Sequence, residues 1–85
     1  MKRLPLLQTE FFEDLQYWVR NDPKVAERLF RIMEECLKTP FHGIGKPEPL
    51  KSMGSWSRRL TDVDRVVYIV NHSTIDFLQA RFHYD

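Results

Sequence analysis

The hydrophobic positions of this 85-residue chain change their period once. Up to Leu37 they recur every three to four residues, and from Trp56 onward they alternate or run together. The first half therefore predicts helices and the second half strands. Phe11, Leu15, Trp18 and Val19 mark the apolar face of a first helix ending at Arg20. Thr9 is placed to cap it, with Glu10 in its first turn. Asn21-Asp22-Pro23 interrupts the pattern: Asp22 suits a cap and Pro23 the first position of a new helix. Val25, Leu29, Ile32, Met33, Cys36 and Leu37 line the second helix, which must stop near Lys38 because Pro40 disfavours a helical residue before it. Ahead of both, Lys2 to Leu7 is a short apolar stretch. Pro5 cannot donate to a ladder, so the stretch suits an edge strand or an irregular lead-in.

Thr39 to Pro49 carries three prolines and two glycines and reads as the one long linker. Leu50-Lys51, Trp56 to Leu60, Arg65 to Asn71 and Thr74 to Phe82 then read as strands joined by polar turns. Val66 to Val70 is continuously apolar, as a central strand covered by helices should be. The order is strand, two helices, then a run of strands. It predicts one α+β domain over residues 1–85, an antiparallel sheet with an N-terminal strand and a helical hairpin packed on one face.

Composition supports a folded core, with 42% hydrophobic and 13% aromatic residues. One cysteine excludes an intrachain disulfide and a zinc site of the Cys-pair type. Cys36 sits in the apolar helical pattern and reads as a buried structural thiol. No signal peptide opens the chain, and no apolar run approaches the roughly 20 residues that span a bilayer. The expected location is cytoplasmic, with no membrane contact. A net charge of +1 is not that of a free-standing nucleic-acid binder. Its distribution is uneven: four basic residues and one acid lie between Lys46 and Arg59, while Met1 to Pro40 balances seven against seven.

That basic segment surrounds an acid. Glu48 sits between Pro47 and Pro49, flanked by Lys46 and Lys51, and the chain closes on Arg81-Phe82-His83-Tyr84 before Asp85. A carboxylate, guanidinium groups and an imidazole are what acid–base cleavage of a phosphodiester needs. Glu48 is the candidate to take a proton, Arg59 and Arg65 to hold phosphate charge, and His83 to return a proton. Lys46, Lys51 and Arg58 add substrate-binding charge. Arg58 and Arg59 are adjacent on a strand and point to opposite faces, so one of them serves a given site. Each residue also has a plainer reading. Glu48 then is a solvated loop acid, Arg65 a salt-bridge partner of Asp62 or Asp64, His83 a solvated terminal imidazole, and Trp18 and Trp56 core residues. His42 and His72 show no metal-ligand spacing and fall in loops.

The same residues carry a resemblance. Glu13-Asp14-Leu15-Gln16-Tyr17-Trp18, Thr39-Pro40-Phe41, Gly43-x-Gly45-Lys46-Pro47-Glu48-Pro49-Leu50-Lys51, Trp56-Ser57-Arg58-Arg59-Leu60, Arg65-Val66-Val67-Tyr68 and the closing His83-Tyr84 resemble the YoeB-type toxins of the RelE superfamily. The likeness runs over nearly the whole chain. It implies a microbial-RNase-like fold and a ribosome-dependent endoribonuclease that cuts mRNA in the decoding site. It assigns the general base to Glu48, the general acid to His83 and phosphate stabilisation to Arg65, with Lys51, Arg59 and Tyr84 binding or orienting substrate. The implied reaction is attack of the ribose 2′-hydroxyl, leaving a 2′,3′-cyclic phosphate and a 5′-hydroxyl, with no metal and no cofactor. The implied partners are a cognate antitoxin of YefM or Axe type, the 70S ribosome with its mRNA, and a second copy of the chain in a homodimer. This chain departs from the pattern in a short Ser52 to Ser55 turn, in Asp64 where a histidine is common, in Pro5 and in Asp85.

Two other classes compete. A ParE-like toxin would bind and poison gyrase on the same fold without catalysis, and would not require Glu48 and His83. An RNA-binding module without catalysis would need more positive charge than this chain has, because phosphate contacts dominate such binding.

Overall fold

A computed structural model describes residues 2–52 and 54–82. The elements are β1 (Leu4–Leu7), α1 (Thr9–Asn21), α2 (Pro23–Lys38), β2 (Glu48–Pro49), β3 (Ser55–Arg59), β4 (Arg65–Val70) and β5 (Thr74–Gln79). The strands form one sheet in the order β1-β5-β4-β3-β2, with both helices on one face. The α+β arrangement is the one the hydrophobic pattern predicts. The sheet is mixed, however: β2, β3, β4 and β5 pair antiparallel, while β1 runs parallel to β5. Between β1 and β5 the chain makes the helical hairpin and the rest of the sheet, and β5 then docks alongside β1 in the same direction.

Proline positions follow from the ladder. The amides of Leu4 and Gln8 donate to Ser73 and Phe77, so the bonding nitrogens of β1 have even numbers and Pro5 faces the open edge. Pro49 pairs with Trp56, one residue from the Leu50 N–H to Ser55 carbonyl bond. Antiparallel pairs alternate between bonded and non-bonded, so the missing N–H of Pro49 falls where none is needed. The strand predicted at Leu50-Lys51 is accordingly shifted back onto Glu48–Pro49.

Helix starts are less regular than the sequence suggested. Thr9 is the first residue of α1 rather than its cap, and Gln8 at the cap position makes no side-chain cap bond. Asp22 does cap α2, its Oδ1 accepting from the Val25 amide at 3.4 Å, with Pro23 following. Phe11, Trp18, Leu29, Ile32 and Cys36 from the helices meet Val66, Tyr68, Ile75 and Phe77 from the sheet in one core. Full burial of a large apolar side chain is worth about 1.5–3 kcal/mol. Phe11 and Phe77 pack with ring centroids 5.1 Å apart. Val19, expected on the buried face, is half exposed.

Two polar clips join α1 to the end of β5. The Trp18 indole donates to the Ala80 carbonyl at 2.8 Å, and the Ala80 amide donates to Asp14 Oδ2 at 2.8 Å. Their effect is to fix the direction in which the chain leaves the sheet toward Arg81.

Candidate functional site

The sheet face turned away from the helices carries the polar residues. Register places Glu48 opposite Ser57, Ser57 opposite Val67, and Val67 opposite Gln79. One row along, Arg59 stands opposite Arg65. Directly opposed residues share a face, as do alternate residues of one strand, so Glu48, Ser57, Arg59, Arg65 and Gln79 all project from the open side. There Arg65 Nη2 lies 3.3 Å from Glu48 Oε2. The pair spans β3, because Glu48 is on β2 and Arg65 on β4. Its side chains are 58% and 37% exposed, and ion pairs in such surroundings contribute at most about 1 kcal/mol. An incoming anion can therefore displace the carboxylate from Arg65 cheaply.

Beside this pair is a groove of about 340 Å³. Ser57, Arg65, Val67, Gln79, Arg81 and Phe82 line it, with Leu50 and Val63. The Arg81 guanidinium stacks 3.5 Å from the Tyr17 ring centre, and the Phe82 amide donates to Asp64 Oδ1 at 2.7 Å. Asp64 Oδ2 in turn accepts from Thr61 Oγ1 at 2.7 Å. Asp64 thus ties the turn before β4 to the end of the described chain, and Arg65 pairs with Glu48 rather than with Asp62 or Asp64. The residue immediately before His83 lies on the groove.

The loop that delivers Glu48 is pinned by Arg58, and here the sequence reading needs correction. Arg58 faces the helices, is fully buried, and binds no substrate from that position. All five of its N–H donors are taken. Nε donates to Tyr68 Oη at 3.1 Å, Nη1 to Glu35 Oε1 at 2.5 Å and the Ile44 carbonyl at 3.2 Å, and Nη2 to the Thr39 and His42 carbonyls at 2.6 and 2.9 Å. The Tyr68 hydroxyl in turn donates to the Pro40 carbonyl at 2.6 Å. Burial opposes the Arg58 charge, but the hydrogen bond to Tyr68, the nearby Cys36 and the hydrogen bond to Glu35 overcome it and hold its pKa above the ordinary guanidinium value. Burial also pushes the Cys36 thiol up to about 11 and the Tyr68 phenol up to about 12, against the opposing influence of the Arg58 guanidinium.

Glycine is required twice in this loop. Gly43 has φ 122°, and a side chain there would collide with the Glu35 carboxylate that holds Arg58. Gly45 has φ 80°, and a side chain would meet the Arg59 carbonyl at 2.8 Å. That close approach lets the Arg59 amide donate to the Gly45 carbonyl at 2.7 Å, setting the chain against β3 just before Glu48.

This geometry sits on a chain whose residues 7–84 match the sequence model of the YoeB-like toxins of bacterial type II toxin–antitoxin systems. The chain belongs to that family. Toxin YoeB of Streptomyces coelicolor is 43% identical over 75 residues, covering 86% of this chain and 89% of that protein. A YoeB/ParE toxin from Agrobacterium tumefaciens superposes with a TM-score of 0.88 at 38% identity, covering 95% of this chain and 99% of that one. YoeB of Staphylococcus aureus has been solved as a dimer and in a heterotetrameric YoeB–YefM complex. Both are 31% identical, with TM-scores of 0.87 and 0.86, covering 99% of this chain and all of theirs.

Of the residues singled out for a YoeB-like site, Glu48 and Arg65 are brought together, with Arg59 in the same row as Arg65. Lys46, Lys51 and Arg59 are exposed and lie outside the groove lining. His83 and Tyr84 fall outside the described residues. Among the described residues no three His, Cys, Asp or Glu side chains gather to hold a metal ion, and no helix is long and apolar enough to cross a membrane. Ser57, Gln79 and Arg81 line the groove without having been singled out as site residues. Strand alternation offered a signal for Ser57, since it puts that residue on the side of Arg59.

Proposed function

We propose that this YoeB-like toxin is a ribosome-dependent endoribonuclease that cuts mRNA in the decoding site. The observation that carries the reading is the Glu48–Arg65 pair on the open sheet face, a weakly held acid and cation beside a groove. An RNA phosphate entering there replaces the carboxylate as the partner of Arg65. Glu48 is then released beside the nucleotide and takes the proton of the ribose 2′-hydroxyl. The 2′-oxygen attacks the adjacent phosphorus while Arg65, with Arg59 nearby, meets the growing negative charge. His83 donates a proton to the departing 5′-oxygen, and Lys46, Lys51 and Tyr84 bind or orient the strand. The products are a 2′,3′-cyclic phosphate and a 5′-hydroxyl. Acid, base and cation supply every step, so the reaction calls for no metal and no cofactor.

The charge balance favours a ribosomal substrate. A chain of net charge +1 holds free RNA weakly, since affinity for the backbone grows with the number of phosphates neutralised. A ribosome that presents the mRNA supplies the missing binding energy. The Staphylococcus aureus complex and dimer support a YefM-like antitoxin and a second toxin copy as partners of this chain. The test is an in-vitro translation reaction read for cleavage of ribosome-bound mRNA. Wild type should produce cuts ending in 2′,3′-cyclic phosphate, and Glu48→Ala should make them about 10²–10⁴-fold more slowly. Equal cutting of naked RNA, or cutting by Glu48→Ala at the wild-type rate, defeats the proposal.

A further inference from the structure

Ser57 is 1% exposed, and its hydroxyl has no hydrogen-bond partner among the described residues. Buried hydroxyls are ordinarily paired, and an exception calls for a reason. The surroundings of this one supply it. Ser57 is the cross-strand partner of Glu48 and lines the groove with Arg65. Because β3 lies between β2 and β4, the ion pair that joins Glu48 to Arg65 spans the strand carrying Ser57. Directly opposed residues have Cβ atoms about 4.5–5.5 Å apart, within easy reach of a glutamate arm.

We propose that Ser57 is a positioning residue for Glu48. When the RNA phosphate draws Arg65 away, the Ser57 hydroxyl donates to the Glu48 carboxylate, holding one oxygen so that the other faces the ribose 2′-hydroxyl. In the absence of substrate the contact with Arg65 directs the carboxylate away from Ser57, whose hydroxyl is left without a partner among the described residues. The inference rests on the ribonuclease reading above and adds a residue to it.

Single-turnover cleavage of ribosome-bound mRNA tests it, with Ser57→Ala, Ser57→Thr, Glu48→Ala and the Ser57→Ala/Glu48→Ala double variant. A hydrogen bond to a charged group corresponds to roughly a 10–100-fold effect on rate. Ser57→Ala should lose that much in the cleavage rate at saturating ribosomes, with the half-saturating concentration unchanged, and Ser57→Thr should restore most of it. On the Glu48→Ala background the loss of the hydroxyl should change nothing further. Thermal melting supplies the readout that a structural serine would not give. Removing an unpaired buried hydroxyl should leave Ser57→Ala at least as stable as wild type. Wild-type rates in Ser57→Ala, an equal loss with and without Glu48, or a lowered melting temperature overturns the inference alone. Absence of cleavage by wild type overturns the ribonuclease reading and the inference with it.

Discussion

Glu48 and Arg65 meet at 3.3 Å although a whole strand, β3, runs between the strands that carry them. The contact depends on both long side chains leaning over Ser57 and Arg59 from opposite sides. Exposed pairs of this kind are weak and are screened by salt. An RNA phosphodiester, whose two non-bridging oxygens match the guanidinium fork, is a better partner for Arg65 than a carboxylate held through one oxygen. The resting contact thus places carboxylate and guanidinium together without locking either.

Arg65→Ala should lose turnover more than ribosome binding. A well-oriented donor facing charge that develops in the transition state is worth about 10²–10³ in rate. Single-turnover cleavage beside cosedimentation with ribosomes separates the two effects. Unchanged cleavage would reduce the Glu48–Arg65 contact to an ordinary surface ion pair.

Arg58→Ala should destabilise the fold instead. It leaves Glu35, Tyr68 and three loop carbonyls without their donor, and breaking a buried ion pair from one side loses about 3–5 kcal/mol. In a domain of this size each kcal/mol moves the melting temperature by roughly 4–8 °C, so the drop should be on the order of 15 °C or more. Arg58→Lys should fall nearly as far, because an ammonium cannot reproduce the planar five-donor fork. A wild-type melting curve for either variant would refute the anchoring role.

The contrast between these two arginines marks what the sequence makes legible. Periodicity located both helices and the strands from Ser55 onward, because each of those elements buries one face against the core. It also put Arg58 with Trp56 on one side and Arg59 with Ser57 on the other. What periodicity lacked was the partner of Arg58. Glu35 lies 23 residues away on α2, and nothing local to either residue announces the pairing. The parallel docking of β1 on β5 was hidden for the same reason, since register between distant strands is decided by the core and not by either strand. Glu48 and Arg65 were found as types, while their meeting across β3 is a property of the sheet order.

Stability should decline in alkali, and Cys36 and Tyr68 should set where. In the unfolded chain these groups lose their protons near their ordinary values, 9.0 and 10.0, whereas burial in the folded protein holds the protons up to about 11 and 12. Between those limits the folded state binds more protons than the unfolded one, so stability falls as pH rises. It is intact below about pH 9 and is lost progressively toward pH 12. At about 1.4 kcal/mol for each pKa unit, each group accounts for at most on the order of 2–3 kcal/mol. Denaturant titrations from pH 8 to 11 should show the decline, and Cys36→Ala should flatten its lower part. An unchanged slope in Cys36→Ala would assign the decline to other groups.

The roles proposed for Glu48 and His83 separate through the leaving group. If His83 protonates the departing 5′-oxygen, a substrate with sulfur in that position removes the requirement, because a thiolate leaves without a proton. His83→Ala should then recover much of its rate on the sulfur-substituted mRNA. Glu48→Ala should not recover, since the 2′-hydroxyl must still be deprotonated before it attacks. General acid or base assistance is worth about 10²–10⁴-fold, so the recovery should be plain in single-turnover traces. The assay uses ribosome-bound substrate, since on the proposed reading a chain of net charge +1 holds naked RNA weakly. Equal recovery of both variants, or recovery of neither, would contradict the assignment of base to Glu48 and acid to His83.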